Sequence, residues 1–452
     1  MAHLHAIGWE ELPLQLVPES FPSHENAFTL VVGQNGVGKS RLLADLCKRS
    51  TKQIDMRDQF AWTIDQQPRV IAVSTGVFDR FPSNARRLDS RTSNFASNYT
   101  YLGVRREFMG SSSVMSLLSN AARGLLRRLN DKPSLRALTL TFGTINCHPF
   151  VEMVFKPSFR AVGAARDFSL RDPLSKEAKS LIRLLGEIDA RILSEFEIKG
   201  SSDRASIVHA ATSLRSFLEM KSVVSVGVDF KRGSITTDLL SDGSDFATNL
   251  RLLLDAGLVR MMDLVLQKID HGRMSLRRAS SGEQCLLTII LGIAGHLTDD
   301  SLVLIDEPEI SLHPEWQEKF MELLVAAVSG FNGCQFVVAT HSPQLVSRAP
   351  TRNCFVVSLS QRQLRPASVY ANKSADVQLA ELFQAPGAKN EYIARLAFNL
   401  LARIRAAKAV TPEQHTQLAH LKSLVFHVDR REPIVELIDS ITGVVGYYGS
   451  DS

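Results

Sequence analysis

Gly33-Gln34-Asn35-Gly36-Val37-Gly38-Lys39-Ser40 is the stretch on which the reading of this chain turns. It fits GxxxxGK followed by Ser or Thr, and its flanks decide what that fit means. Ahead of it, Ala27-Phe28-Thr29-Leu30-Val31-Val32 is a short apolar run of the kind that forms a buried strand. Behind it, Ser40 to Lys48 reads as a helix. Glycines at such a junction let the backbone wrap round phosphates without side-chain clashes. The free N–H groups of the helix start then face the anion. Lys39 is expected to reach the β- and γ-phosphates and the Ser40 hydroxyl to bind Mg²⁺, so ATP and Mg²⁺ are the expected ligands. Gly33, Gln34, Asn35, Gly36, Val37, Gly38, Lys39, Ser40 and the adjoining Arg41 are the expected nucleotide contacts.

Three further stretches carry chemistry. Leu302-Val303-Leu304-Ile305-Asp306-Glu307 brings two carboxylates to the end of a buried strand. Alone, that pattern also describes a solvated strand end. Phosphoryl transfer needs both a phosphate loop and such carboxylates, which makes Asp306 the expected Mg²⁺ ligand of a Walker B element and Glu307 the candidate base that orients water. Ala279-Ser280-Ser281-Gly282-Glu283-Gln284 precedes an apolar helix from Cys285 to His296. A Ser/Gly turn there suits phosphate, yet Ser280 is equally an N-cap with Glu283 completing a capping box. Val337-Val338-Ala339-Thr340-His341-Ser342 sets a histidine directly after a buried strand. His341 is either a hydrogen-bonded structural residue or a contact to the γ-phosphate.

Composition narrows the class. The 452 residues are 44% hydrophobic, 22% charged and 7% aromatic, which excludes collagenous, disordered and disulfide-stapled chains. The net charge of +5 neither requires nor excludes nucleic acid. Five scattered cysteines without CxxC spacing read as reduced thiols of a cytoplasmic protein. No signal-peptide plan and no long apolar run point to a membrane. Val70–Val73, Ser301–Ile305, Gln335–Ala339 and Cys354–Val357 join Ala27–Val32 as candidate strands of a covered parallel sheet, an α/β arrangement. Between them, Ser113–Leu129 and Lys176–Ile192 read as helices. Leu135–Phe142 with Phe150–Phe155, and Val223–Phe230 with Ser234–Leu239, read as hairpins. Leu250, Leu254, Leu258, Met261 and Val265 step like a helix. The tail from Gln361 is mostly helical, with Thr411-Pro412 as a capped start.

The order of phosphate loop, SSGEQ, IDEPE and THS resembles that of ABC-type ATPases, whose signature loop lies just ahead of the Walker B strand. Asp306-Glu307-Pro308-Glu309-Ile310-Ser311-Leu312-His313-Pro314 with Gln317 resembles the DEPExxLHP text of the RecF/SMC/OLD branch. Val70-Ile71-Ala72-Val73-Ser74-Thr75-Gly76-Val77-Phe78-Asp79-Arg80-Phe81-Pro82 is similar to stand-alone ATPases of bacterial anti-phage defence: the Septu subunit PtuA, retron-associated relatives and the PARIS subunit AriA. The resemblance implies a P-loop ATPase head with mixed parallel and antiparallel sheets, interrupted by a helical and hairpin insertion and followed by a helical tail. Residues 1–100 and 271–370 would be the two parts of the head, 101–270 the insertion and 371–452 a partner-docking tail. It implies that Ser280, Ser281 and Gly282 contact ATP held by a second subunit, that Glu307 is the catalytic base and that His341 is the switch histidine. Heads of a homodimer or larger homo-oligomer would then sandwich ATP. The implied setting is sensing infection, with a phage protein or DNA as trigger, and holding or releasing a separately encoded nuclease or toxin. The alternative is a RecF-type DNA clamp. A transporter motor is disfavoured by the long gap between Ser40 and Ser280.

Departures from the family pattern are specific. The Mg²⁺-contacting glutamine after the second strand has no placed counterpart; Asp79 and Thr75 are the candidates to serve in its stead. Nothing after His341 offers the acidic set of a nuclease module. Arg105, Arg106, Arg123, Arg127, Arg128, Lys132 and Arg136 outnumber Glu107 and Asp131, giving either a solvated helix face or a track for DNA or a foreign protein. Arg277-Arg278 is a phosphate neighbour or a plain surface pair. His415, His420 and His427 lack metal-ligand spacing.

Overall fold

A computed structural model describes residues 3–51, 68–76, 79–82, 98–103, 113–129, 132–158, 174–186, 188–219, 223–237, 244–387, 389–426, 428 and 432–449. The chain opens with a hairpin, β1 (Ala6–Trp9) and β2 (Leu12–Gln15), then β3 (Ala27–Val32), α1 (Lys39–Thr51), β4 (Val70–Ser74) and β5 (Tyr99–Gly103). Next come α2 (Ser113–Arg128), α3 (Lys132–Thr144), β6 (Cys147–Pro157), α4 (Lys176–Leu185), α5 (Ala190–Ile198), α6 (Ser201–Ser213), α7 (Arg215–Glu219), β7 (Val224–Asp229), β8 (Ser234–Thr237), α8 (Ser244–Asp255), β9 (Val259–Lys268) and β10 (Gly272–Ser275). The chain returns with α9 (Ser281–His296), β11 (Leu302–Asp306), α10 (Pro314–Ala327), β12 (Gln335–Ala339), α11 (Pro343–Ser347), β13 (Cys354–Ser358) and β14 (Gln363–Pro366). It ends with α12 (Ala375–Glu381), α13 (Glu391–Ala407), α14 (Pro412–Leu424) and α15 (Pro433–Gly449).

The apolar runs build one sheet in the order β14-β13-β3-β12-β11-β4-β5. Neighbours pair in parallel except β13 with β14. Strands β3, β4, β11 and β12 are buried along their whole length, because layers cover both faces. One face packs on α1 and the β1–β2 hairpin through Trp9, Leu42, Leu43 and Leu46. The other packs on α2, α9 and α10, where Phe28 stacks on Phe336 with ring centroids 4.7 Å apart.

The second sheet is antiparallel, in the order β10-β9-β6-β7-β8. It shares one apolar core with the first. Helix α9 joins them and is buried from Gly282 to His296 except at Glu283. Gly295 lets α2 approach: a Cβ there would lie 2.9 Å from the backbone of Gly124. The tail helices α13, α14 and α15 close a separate small core around Ile393, Leu400, Leu421 and Ile441.

Three local expectations are corrected. Leu135–Phe142 is not a strand but part of α3. Its buried residues are Ala137, Leu138, Thr141, Phe142 and Ile145, a helical spacing that the alternating Thr139, Leu140 and Thr141 disguise. The hydroxyls that suggested a strand donate to carbonyls four residues back, Thr139 to Leu135 and Thr141 to Ala137. Lys176–Ile192 is two helices, because Gly186 ends α4 with φ 81°. The Leu250–Val265 stripe is divided at Gly257, φ 73°, so Met261 and Val265 lie on β9. The Val223–Phe230 hairpin with Ser234–Leu239 forms as β7–β8 up to Thr237, residues 238 and 239 lying outside the described residues, and Thr411 and Gln414 complete the capping box of α14.

Candidate nucleotide site

Gly36 and Gly38 turn the loop after β3 with φ of 81° and 106°, values that a side chain disfavours. Asn35 and Gly36 are exposed at its tip. Lys39 arches back under the loop and is only 4% exposed. Its Nζ donates to the Gly33 and Gln34 carbonyls at 2.9 and 3.1 Å. Burial lowers its pKa, opposed by Glu307, Glu309 and Asp306. Arg41 faces the hairpin: its guanidinium sits 5.0 Å from the Trp9 ring and pairs with Glu10 at 2.5 Å. It walls the loop rather than entering it.

Sheet order assembles the rest. β12 lies between β3 and β11, and register sets Asp306 beside Ala339 on one side and Ser74 on the other. All three strand ends therefore open at one edge, where parallel sheets collect ligands. Ser40 Oγ donates to Asp306 Oδ1 at 3.0 Å. Burial, with Glu307, Asp79 and Glu309 nearby, pushes the Asp306 carboxyl up to about 7. A buried carboxylate short of positive charge, beside a hydroxyl, is a hard oxygen pair that suits Mg²⁺.

Glu307 adopts a left-handed conformation, φ 47° and ψ 57°. Two bonds fix it there: its N–H donates to Ala339 O at 2.9 Å, and the Thr75 hydroxyl donates to its carbonyl at 3.0 Å. The twist aims the carboxylate at His341, whose Nδ1 is 3.6 Å from Glu307 Oε1 and 3.3 Å from Glu309 Oε1. Contact with His341 lowers the Glu307 pKa, and contact with Glu307 raises that of His341. Glu309 itself has a side chain 3% exposed. It accepts the Thr340 hydroxyl at 2.8 Å and the His341 N–H at 2.7 Å. Gln317 braces the same turn, donating to Leu312 O and accepting from Ser342 Oγ at 2.6 Å.

The phosphate loop, Asp306, Glu307 and His341 are thus brought together. Ser280, Ser281 and Gly282 are not: among the described residues no hydrogen bond joins them to residues 33–40. Ser280 caps α9, accepting the Glu283 N–H at 3.4 Å. The Glu283 carboxylate pairs with Lys268 instead of completing a capping box. Ser280 and Ser281 are exposed, and Gly282 is buried against Trp316 and His313.

Thr75 is spent on Glu307, and Asp79 accepts the Phe81 N–H and the Tyr101 hydroxyl, so each has a structural task. Arg123 pairs with Asp255 at 2.9 Å, and buried Arg128 donates to Gly295 O. Arg127 and Arg136 are exposed; the side chains of Arg105, Arg106 and Lys132 lie outside the described residues. Arg277 and Arg278 are exposed, and the Arg277 N–H donates to Asp263. His415 is exposed and His420 pairs with Glu381 at 2.9 Å; His427 lies outside the described residues. Among the described residues no group of three metal-ligating side chains forms, and no helix is long and apolar enough to cross a membrane. The residues that pattern reading missed are Glu309 and Trp9. Glu309 stands in the quoted motif, but its burial is visible only in three dimensions.

Known proteins bear on this arrangement. Residues 65–347 match the family described as "AAA domain, putative AbiEii toxin, Type IV TA system". That span holds β4, the α9 turn, β11 and His341, with the phosphate loop just upstream. The chain is 24% identical to the Retron Ec83 probable ATPase of Escherichia coli over 79% of its own length and 72% of that protein's. It is 22% identical to the Retron Vc95 probable ATPase of Vibrio cholerae, covering 83% and 78%. Protein ea59 of Escherichia phage lambda is 31% identical over 25% of this chain and 22% of its own. Because the family match takes in more than half of the chain, the protein belongs to this AAA-domain family.

Proposed function

We propose that the chain is a Mg²⁺-dependent ATPase that works as the sensor and scaffold subunit of an anti-phage defence system. The Ser40–Asp306 hydrogen bond of 3.0 Å carries this reading, because it places the loop's hydroxyl on the carboxylate strand. The loop N–H groups and Lys39 hold the triphosphate. Ser40 and Asp306 hold Mg²⁺, which when bound neutralises charge between the β- and γ-phosphates. Glu307 orients the attacking water and takes its proton. His341, 40% exposed at its side chain, contacts the γ-phosphate.

Exposure of Ser280 and Ser281, with no hydrogen bond to residues 33–40 among the described residues, supports a site completed by a second subunit, with ATP between two heads. Similarity to two retron-associated probable ATPases supports the defence setting and a separately encoded nuclease or toxin as partner. The DNA-clamp reading is weakened by Arg123 and Arg128, which are engaged within the fold. The test is affinity capture of the Glu307→Gln protein with ATP and Mg²⁺ from cells carrying its genetic neighbours. A stoichiometric nuclease or toxin is expected. Recovery of replication or repair proteins instead would replace the sensor reading with the clamp.

A further inference from the structure

We propose that Glu309 is the positioning residue of His341: it accepts the imidazole Nδ1–H, fixes Nε2 as the nitrogen presented to the nucleotide, and leaves Glu307 free for water. This rests on the ATPase reading above.

Two carboxylates flank one imidazole nitrogen, with Glu309 the nearer at 3.3 Å and Glu307 at 3.6 Å. Two buried atoms here have no hydrogen-bond partner, Glu309 Oε2 and His341 Nδ1. Such groups are rare in folded proteins, and each calls for an explanation, a catalytic role among them. Both atoms belong to one carboxylate–imidazole contact, in which Nδ1 lies 3.3 Å from Oε1. Glu309 is already anchored, since its Oε1 holds the Thr340 hydroxyl and the His341 N–H. Glu307 has no comparable anchor on its carboxylate, and its side chain is 28% exposed against 3% for Glu309. The buried, anchored carboxylate suits orientation and the more open one suits proton transfer. A base tied to His341 is a poor base, so moving the Nδ1–H to Glu309 frees it. The nitrogen that a histidine presents is set by the partner of its other nitrogen.

The experiment measures steady-state ATP hydrolysis and nucleotide affinity for the full-length protein and for Glu309→Ala, Glu309→Gln, His341→Ala and the Glu309→Ala/His341→Ala double variant. Glu309→Ala should lower kcat about as far as His341→Ala does, roughly 10²-fold, with ATP affinity changed less than about threefold. The double variant should be no slower than His341→Ala, because both changes remove one interaction. Glu309→Gln keeps one oxygen for the Thr340 hydroxyl and the His341 N–H but sets an amide NH₂ against Nδ1–H, so it should stay folded and be nearly as slow as His341→Ala. Additive losses, a rise in KM at constant kcat, or a glutamine variant with near wild-type kcat would overturn the proposal. An unaltered protein that hydrolyses no ATP would instead overturn the ATPase reading.

Discussion

Ser40 and Asp306, 266 positions apart in the chain, meet at 3.0 Å between Oγ and Oδ1. A sequence records the two halves of this site as separate motifs. The fold makes them one, because β12 is the single strand between β3 and β11.

Breaking either side of that contact should therefore be equivalent. Ser40→Ala and Asp306→Asn should each lower Mg²⁺-dependent hydrolysis by about 10²-fold or more, as expected for loss of metal placement in phosphoryl transfer. Lys39→Ala should weaken nucleotide binding itself. Steady-state kinetics and equilibrium binding of a fluorescent ATP analogue separate the two effects.

Glu307→Gln keeps the backbone bonds to Ala339 and Thr75, so the loop and the proposed metal ligands Ser40 and Asp306 stay in place. It should bind ATP normally while hydrolysis falls about 10²–10⁴-fold. Size-exclusion chromatography with ATP and Mg²⁺ should show an enlarged species that reverts when nucleotide is removed. An unchanged elution position would argue against ATP-joined heads.

Ser281 is exposed at the start of α9, and among the described residues no side-chain hydrogen bond holds it. Ser281→Arg should leave folding and ATP binding intact and abolish hydrolysis. Mixed with a Lys39→Ala protein, it should regain part of the activity, because one sound loop then faces one sound signature. No recovery across a range of ratios would count against a shared site.

His296 is buried, and its Nε2 is 3.0 Å from Asn120 O. Burial lowers its pKa to about 3. The unfolded chain takes up a proton near 6.5 while the native state does not, so this contribution is full above pH 6.5 and is lost as pH falls. Stability should drop by about 1.4 kcal/mol per pH unit between roughly 6 and 4 from this residue alone. Urea titrations at pH 7.5 and 5.5 should show a smaller pH effect in His296→Leu.

Gly295 lies where α2 and α9 touch, and a Cβ would meet Gly124 backbone at 2.9 Å. Gly295→Ala should cost about 1–3 kcal/mol through forced separation of the helices. Because α9 carries the signature at its other end, hydrolysis should fall with stability. Thermal melts and kinetics on one preparation check both.

Much of the site was legible in local text. Backbone-level devices depend on near neighbours, so glycines before Lys39 and Ser40, apolar runs ending in Asp306, and Thr411 with Pro412 each specify their own geometry. The sequence by itself determined the phosphate loop, the buried strands of the parallel sheet and the order of the motifs. Local text failed where a side chain's partner lies far away. Leu135–Phe142 alternates like a strand, yet Thr141 donates to Ala327 O at 2.7 Å and the segment is helical against α10. Arg123 and Arg128 read as surface charge until Asp255 and Gly295 O engage them. Glu309 read as one more acidic residue of a motif. Only the tertiary structure sets it beneath His341, because burial, and with it the strength of every polar contact, is decided by which strands become neighbours.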